Sequence, residues 1–271
     1  MKLYAIAVAP LSILFILSSR RIHPAYRMTL LKKLRLGIKV LLNNLRIPSG
    51  TSFKAHLAMG LKLLETAPEV EGAVVECGTW KGGSAANLSL VCRIVGRKLL
   101  VFDSFEGLPE GDPRDNEAKN YKKGDYCGTL DEVRSNLARF GAIECCEFIK
   151  GWFSETLPKL NGPVFLAFLD VDLEASLHTC VQYIWGCLVP GGYLFIDECV
   201  GLNYCALFFS ESWWEKHFSQ KPPGLIGAGT GLPLGEFYLG PWAEIADHPL
   251  QHASTGAYTR RDFTGYWSYA P

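Results

Sequence analysis

The chain has 271 residues, a length that suits one large domain or two small ones and that can bury a sizeable core. Hydrophobic residues make up 48% of it and charged residues 20%, a composition that excludes a disordered protein. Its 27 basic and 27 acidic residues give a formal net charge of zero, which argues against strong non-specific binding of nucleic acid.

The first 50 residues differ from the rest of the chain in charge. They hold nine basic residues and no acidic one, whereas the remainder holds 18 basic and 27 acidic residues. Residues 3–17 are almost entirely apolar, yet this run is shorter than the roughly 20 residues that span a bilayer. Residues 26–45 place apolar side chains at helical spacing, with cations between them. Because Pro48-Ser49-Gly50 indicates a boundary, we expect a basic, apolar N-terminal helical arm at residues 1–50 and one further domain at residues 51–271.

Two interpretations of this arm remain open. An amphipathic basic helix can lie on an anionic membrane surface, and it can also pack on the protein's own body or on a partner subunit. If the apolar run inserts into a bilayer, the cations that follow it keep the body on the cytoplasmic side. The nine cysteines are irregularly spaced and form no paired zinc-binding motif, which favours a reducing compartment. We therefore predict a cytoplasmic protein, with membrane association through residues 1–50 as the open alternative.

Beyond residue 50, short apolar runs alternate with helical patterns. The spacing predicts helices at residues 52–66, 85–95, 130–140, 177–188 and 205–218. Strands are predicted at residues 73–76, 98–103, 146–149, 164–170 and 192–197, with a final hairpin at 237–239 and 266–269. Continuous apolar strands separated by helices are typical of a parallel sheet covered on both faces. The predicted fold class is therefore a doubly wound α/β sheet.

Acidic residues stand at the ends of four of these strands. Ligands of an open α/β sheet lie beyond the carboxyl ends of its strands. A carboxylate at the end of a buried strand also costs free energy unless it binds something. We therefore expect one shared site, formed by Glu76, Asp103, Asp170 and the adjacent pair Asp197 and Glu198.

A glycine-rich turn follows the first predicted strand. Its spacing is neither the G-x-G-x-x-G of dinucleotide enzymes nor a phosphate-binding P-loop, but its glycines let the backbone approach a ligand closely. Glu76 can anchor a cationic or hydroxylated ligand, and Asp103 is placed to accept hydrogen bonds from a ribose diol. This combination suits an adenosine-containing cofactor with a positively charged amino-acid tail.

Four blocks carry a resemblance to a known family. They read V-E-C-G-T-W-K-G-G-S at residues 75–84, F-D-S-F-E-G-L-P at 102–109, L-D-V-D-L-E-A-S at 169–176 and L-V-P-G-G-Y-L-F-I-D-E at 188–198. The chain thereby resembles the class I S-adenosylmethionine-dependent methyltransferases, and among them the macrocin O-methyltransferase family. The resemblance implies a Rossmann-like, mostly parallel sheet of seven strands that ends in a hairpin and binds its cofactor across the first two strands.

The same resemblance implies which residues surround S-adenosylmethionine. Those expected around the methionine part are Glu76, Gly78, Trp80, Gly82, Gly83 and Ser84. Those expected around the ribose and adenine are Asp103, Ser104 and Phe105, with Trp152 lining the adenine pocket. A core or surface position is the alternative for Trp152.

The resemblance also implies a divalent metal site. The matching residues are Asp170, Asp197 and Glu198, with Asp172 as a spare candidate. Carboxylate oxygens are ligands that Mg²⁺ prefers, although the family more often has two aspartates at the second position. Asp170 is also the expected catalytic residue, because a metal held there would orient the acceptor hydroxyl and lower its pKa. Alternatively, these acids cap the helix predicted at 177–188.

The expected function is that of a Mg²⁺-assisted O-methyltransferase acting on a hydroxyl of a sugar or a glycosylated small molecule. The sugar rests on the resemblance alone. Two alternatives stay open: methylation of a phenolic or catechol-like hydroxyl, and a non-catalytic, membrane-associated binding protein that keeps the cofactor fold. The expected partners are a small-molecule acceptor and further copies of the chain, with no nucleic acid. The aromatic residues of 205–218 are expected in the core or a subunit interface.

Overall fold

A central β-sheet organises the part of the chain that this computed structural model describes, residues 19–111, 121–197, 202–226, 238–239 and 257–262. The strands are β1 (Ala73–Cys77), β2 (Leu99–Asp103), β3 (Cys146–Lys150), β4 (Val164–Leu169), β5 (Leu188–Ile196), β6 (Leu225–Ile226), β7 (Tyr238–Leu239) and β8 (Ala257–Arg260). The α-helices are α1 (Leu30–Arg46), α2 (Phe53–Glu65), α3 (Gly83–Val95), α4 (Leu130–Phe140), α5 (Phe153–Thr156), α6 (Glu174–Ile184), α7 (Leu202–Leu207) and α8 (Glu211–Phe218).

Across the described residues, the sheet order is β3-β2-β1-β4-β5-β8-β6-β7. Strands β1 to β5 pair in parallel, whereas β8 pairs antiparallel with β5 and with β6, which also pairs antiparallel with β7. The direction of the strand order reverses between β1 and β4, so the predicted doubly wound α/β class is confirmed.

The antiparallel edge differs from the expected seven strands and final hairpin. The described sheet has eight strand segments, because β6 and β7 are separate pieces of two residues each. One predicted hairpin strand contains β7, but the other, at 266–269, lies outside the described residues. The strand beside β5 is instead β8, which the sequence analysis missed.

Both faces of the sheet are covered by apolar layers. In β4, Leu166 and Phe168 belong to the layer formed with α1, α2 and α3, whereas Ala167 and Leu169 belong to the layer formed with α6, α7 and α8. All six residues of β4 are buried, as the alternation of side chains in a doubly covered strand requires. The eight cysteines that the structure describes are free thiols.

Helix α1 of the N-terminal arm packs on the body of the protein. Leu36 and Val40 on its inner side, and Ile47 just beyond its end, are buried in the layer that contains α2 and α3. Its outer side keeps large apolar residues exposed, namely Leu30, Leu31, Ile38 and Leu42, at 66%, 54%, 40% and 36%. Within the described ranges, no helix has the length and hydrophobicity needed to cross a bilayer, and the apolar run at 3–17 lies outside those ranges.

The aromatic segment predicted as one helix at 205–218 is interrupted. Helix α7 ends before Phe208, and α8 begins after Ser210, whose extended backbone forms the N-cap. Phe208 and Trp214 are fully buried, and Trp214 Nε1 donates a hydrogen bond to the carbonyl of Leu207 at 2.7 Å. These two aromatic residues are therefore part of the core.

Candidate active site

A cavity of about 260 Å³ opens at the carboxyl ends of the parallel strands. Its walls are formed by the turn after β1, the loop after β2, the residues after β3 and β4, and Asp197 after β5. Ser49 and Gly50, from the segment between α1 and α2, form a further side. Because the strand order reverses between β1 and β4, this is where an open α/β sheet binds its ligands.

The structure brings most of the predicted site residues to this cavity. Those that line it are Gly78, Trp80, Ser84, Asp103, Ser104, Trp152, Asp170 and Asp197. Glu76, Gly82, Gly83 and Phe105 are not among the lining residues, and Glu198 lies outside the described part of the chain. The grouping agrees with the expected shared site, while the role of each residue stays a prediction.

Gly78 allows the turn after β1 to pass directly beside the end of β4. Its φ is 82°, and a Cβ built on it would lie 1.8 Å from the backbone oxygen of Asp170. No other residue type fits at that distance. The backbone N–H of Asp170 in turn donates to the carbonyl of Cys77 at 3.0 Å. These contacts hold the glycine-rich turn, which is predicted to bind the cofactor, beside Asp170, which is the predicted catalytic residue.

The carboxylate of Asp103 is held by backbone amides. Oδ2 accepts from the N–H of Thr79 at 2.7 Å, and Oδ1 accepts from the N–H of Phe105 at 2.6 Å. Burial raises the pKa of Asp103, and these hydrogen bonds act in the opposite direction. The orientation of the carboxylate is thus set before any ligand arrives.

Glu76, expected to anchor a cationic or hydroxylated ligand, is not among the residues that line the cavity. Its side chain is completely buried, and Oε1 accepts a hydrogen bond from the hydroxyl of Ser84. Burial raises the pKa of Glu76 to about 8, with smaller contributions in the same direction from Asp170 and Asp103. The carboxyl is therefore mostly protonated at neutral pH. The sequence analysis expected a carboxylate at the end of a buried strand to bind a ligand, and it did not consider that burial could keep this carboxyl protonated.

Asp170 combines burial with one specific hydrogen bond. Its Oδ2 accepts from the hydroxyl of Thr51 at 2.8 Å. Burial raises the pKa of Asp170 to about 6, and the charge of Asp103 adds to the shift, while the hydroxyl of Thr51 opposes it. A carboxylate with this pKa, on the wall of a cavity, is suited to accept a proton near neutral pH.

Neither Asp170 nor Asp172 is the N-cap residue of the following helix, which was the alternative role for these acids. Helix α6 begins at Glu174, and its N-cap residue is Leu173, which makes no side-chain capping bond. Asp172 instead adopts a left-handed backbone with a φ of 58° and lines the cavity. Burial, aided by Asp170, raises the pKa of Asp172 to about 7.

Several cavity residues were not predicted. Ser49 and Gly50 were interpreted only as a boundary. Thr51, which is not a lining residue but donates to Asp170, was not considered. Tyr126 also lines the cavity and contacts the ring of Trp80 edge to face, with the ring centroids 5.3 Å apart. No motif marks these positions, because chain segments distant in sequence bring them to the cavity.

The profile of the Macrocin-O-methyltransferase (TylF) family matches residues 60–222, more than half of the chain. The chain belongs to this family. The match extends from α2 to beyond α8 and includes every strand end that faces the cavity. Helix α1 and the segment around Thr51 precede it.

Two characterised relatives are about a third identical to this macrocin O-methyltransferase family member over the aligned part of the chain. An 8-demethyl-8-(2,3-dimethoxy-alpha-L-rhamnosyl)-tetracenomycin-C 4'-O-methyltransferase of Streptomyces olivaceus is 34% identical over 163 residues. A demethyldecarbamoylnovobiocin O-methyltransferase of Streptomyces niveus is 29% identical over 165 residues. Each alignment covers 53% of this chain and 62% of the relative, so the chain spans less than two thirds of either protein.

Solved structures support the fold. The O-methyltransferase NovP superposes with a TM-score of 0.60 at 20% identity, covering 95% of this chain and 99% of NovP. The calicheamicin methyltransferase CalS11 superposes with a TM-score of 0.52 at 17% identity, covering 83% of this chain and 90% of CalS11. Because the sequence identities are this low, the structural similarity establishes the fold and not the function.

The metal site implied by the resemblance to macrocin O-methyltransferases is only partly described. Asp170 and Asp197 both line the cavity, but Glu198 is outside the described residues. Within the described part of the chain, no group of three or more His, Cys, Asp or Glu side chains could hold a metal ion. The spare candidate, Asp172, also lines the cavity. Mg²⁺ usually keeps several waters and binds one or two carboxylates, so the chemistry of these side chains fits the ion.

Proposed function

We propose that this chain transfers a methyl group from S-adenosylmethionine to a hydroxyl of a sugar or a glycosylated small molecule. The observation that carries the proposal is the convergence of all four family blocks on one cavity: each contributes lining residues, among them Gly78, Asp103, Asp170 and Asp197. The sugar is supported by the rhamnosyl group in the name of the relative from Streptomyces olivaceus.

In this proposal the cofactor lies along the ends of β1 and β2. The carboxylate of Asp103, already oriented by two backbone amides, accepts hydrogen bonds from a ribose diol. The turn at Gly78 and Trp80 contacts the amino-acid part, and Trp152 contributes an apolar wall. Because Glu76 is protonated and buried, it supports this turn through Ser84 instead of pairing with a charged ligand.

The cofactor supplies an electrophilic methyl group on a sulfonium. The acceptor oxygen forms a bond to the methyl carbon as the carbon–sulfur bond breaks, and the electron pair of that bond stays on sulfur. The hydroxyl proton passes to the Asp170 carboxylate, which lines the cavity and accepts a hydrogen bond from the hydroxyl of Thr51. The remaining demand on the protein is alignment of oxygen, carbon and sulfur, which a fixed cavity wall provides.

The Mg²⁺ dependence expected from the resemblance remains part of the proposal. Its ligands would be Asp170, Asp197 and Glu198. Bound metal would orient the acceptor hydroxyl and share the task of lowering its pKa.

The full chain is tested with S-adenosylmethionine carrying a radioactive methyl group and p-nitrophenyl α-L-rhamnoside as acceptor. We expect label in the glycoside, and we expect chelation by EDTA to reduce the rate until Mg²⁺ is restored. If EDTA does not change the rate, the metal is removed from the proposal, but methyl transfer remains.

Catechol is tested in parallel as a second acceptor. Turnover of catechol alone would favour the phenolic alternative. Binding of S-adenosylhomocysteine without turnover of either acceptor would favour a binding protein.

We further propose a cytoplasmic protein whose helix α1 lies on an anionic membrane surface. The outer side of α1 exposes Leu31, Ile38 and Leu42 in one stripe, flanked by the exposed cations Arg35 and Lys39. This arrangement matches acyl chains beside anionic headgroups. Two copies paired through this side would place like charges together, so the expected homo-oligomer would use another surface.

Vesicle binding tests the membrane proposal. Phosphatidylcholine vesicles that contain phosphatidylserine should bind the full chain, whereas phosphatidylcholine alone should bind it poorly. Arg35→Gln and Lys39→Gln should each weaken binding by about fivefold, since each cation near an anionic surface contributes about 1 kcal/mol. Lys98→Gln, at an exposed position on the body, is the matched control. The membrane proposal would be wrong if phosphatidylserine did not increase binding of the wild-type protein. If the wild type also formed a dimer that Leu42→Ser abolished, this surface would be a self-association surface.

A further inference from the structure

A chain of partly buried hydrogen bonds connects helix α1 with the cavity. Asn44 on α1 donates from Nδ2 to the backbone carbonyl of Thr51 at 3.1 Å, and the Thr51 hydroxyl donates to Asp170 Oδ2 at 2.8 Å. Thr51 is 2% exposed, so water does not compete for this hydroxyl. One residue, Thr51, therefore links the arm to Asp170 by hydrogen bonds.

Asn44 is itself held in place by the body. Asn87 on α3 donates from Nδ2 to Asn44 Oδ1 at 3.0 Å, and its own Oδ1 accepts from Asn43 Nδ2 at 2.9 Å. His56 on α2 lies 2.9 Å from Asn87 through its Nδ1. Burial lowers the pKa of His56 to about 3, so the ring is neutral and adds no charge to the cluster. Three helices thus fix the position of the Asn44 amide.

The segment between α1 and α2 is also confined sterically. The hydroxyl of Ser49 donates to the carbonyl of Thr51 at 3.1 Å, which gives that carbonyl a second donor. A Cβ built on Gly83, at the start of α3, would lie 2.9 Å from the Cβ of Ser49. The backbone of Thr51 is therefore held by hydrogen bonds and by contact with α3.

We infer that Thr51 is a positioning residue for Asp170 and that Asn44 of the N-terminal arm holds Thr51 in place. A hydrogen bond to Oδ2 fixes the plane of the carboxylate, and this sets the direction in which Oδ1 faces an acceptor hydroxyl. The effect on catalysis rests on the proposed function, whereas the hydrogen bond between Thr51 and Asp170 does not depend on it. The arm, expected as a separate unit at residues 1–50, becomes part of the catalytic site.

A double-mutant cycle on stability tests the contact without any substrate. Thr51→Val keeps the side-chain shape and removes the donor, and Asp170→Ala removes the acceptor. We compare the urea unfolding curves of the wild type, both single variants and the double variant. Because both changes delete the same hydrogen bond, the effect of the double variant should differ clearly from the sum of the single effects. Additive effects would overturn the contact and with it the inference.

Kinetics with p-nitrophenyl α-L-rhamnoside test the positioning. Thr51→Val should lower kcat by about tenfold, as loss of a hydrogen bond to a charged group predicts, while KM for S-adenosylmethionine changes little. Thr51→Ser should restore most of the rate. Asn44→Ala should lower kcat by a smaller factor, and this loss should disappear in the Thr51→Val background, since both variants act through one contact.

A matched control is available on helix α6. The hydroxyl of Thr179 is exposed and donates to the carbonyl of Ala175 at 2.9 Å, so Thr179→Val should keep the wild-type kcat.

If the wild type is active and Thr51→Val keeps the full kcat, the positioning role is refuted. If Thr51→Val does not fold, full kcat in Asn44→Ala refutes it. If the wild type fails to bind S-adenosylhomocysteine in calorimetry, the proposed function fails, and the stability cycle still decides the contact.

Discussion

Asp170→Asn should lower kcat by about 100-fold or more, because loss of a positioned proton acceptor removes a rate factor of at least that size. The asparagine has nearly the same shape, and its carbonyl oxygen can still accept the hydrogen bond from Thr51. What it loses is the negative charge and the ability to take up the hydroxyl proton. The rate of methyl transfer to p-nitrophenyl α-L-rhamnoside, measured at saturating S-adenosylmethionine, checks the prediction.

Asp172→Asn is the matched comparison for Asp170→Asn. Asp172 lines the same cavity, and burial raises its pKa to about 7, so proximity and pKa alone do not separate the two acids. Only Asp170 receives the hydroxyl of Thr51, and only Asp170 lies against Gly78. Affinity for S-adenosylhomocysteine should stay within about threefold in both variants, since Asp103 is intact. A large loss in Asp172→Asn with full rate in Asp170→Asn would reverse the assignment.

Much of the central sheet could be predicted because burial on both faces leaves a simple pattern. Strands β1, β2 and β4 coincide with apolar runs that are largely buried, whereas β3 at the edge of the sheet is only partly buried. The acids at their ends could be grouped for the same reason, since parallel strands end at one edge of the sheet. The antiparallel edge was less predictable. Segments β6 and β7 hold two residues each, too few to display a period.

The contacts that complete the site depend on tertiary structure. Thr51 reaches Asp170 across 119 residues of sequence, and no local pattern predicts that approach. The spacing of apolar residues in α1 indicated an amphipathic helix. It could not indicate that Asn43 and Asn44 face Asn87 on α3. The protonation of Glu76 likewise depends on complete burial, which a sequence gives only as an average tendency.

Glu76→Gln should remove the part that Glu76 contributes to a pH dependence of stability that the wild type shows between about pH 4.5 and pH 8. In the unfolded chain, Glu76 has its ordinary pKa of 4.5, whereas burial raises the pKa of the folded carboxyl to about 8. Between these values the folded state keeps a proton that the unfolded state loses. The contribution of Glu76 to the free energy of unfolding is therefore greatest below the pKa of the unfolded chain. It falls by up to about 1.4 kcal/mol per pH unit as the pH rises towards the pKa of the folded protein.

Urea unfolding at several pH values measures this dependence. Glutamine has the shape of the protonated carboxyl and can accept the hydrogen bond from Ser84, but it does not titrate in this range. Between about pH 5.5 and pH 7.5, the wild type should lose about 2 to 3 kcal/mol relative to Glu76→Gln. The raised pKa values of Asp103, Asp170 and Asp172 act in the same direction, and they are present in both proteins, so the difference isolates Glu76.

Glu211→Gln, an exposed substitution at the start of α8, should keep the wild-type pH slope. If Glu76→Gln shows that slope as well, the folded carboxyl ionises as readily as an exposed one. The Glu76 side chain would then have to reach solvent or a cation in the folded protein. In that case it would be available as the charged anchor that the glycine-rich turn first suggested, and the cofactor turn would be supported by an ion pair instead of by the hydrogen bond from Ser84.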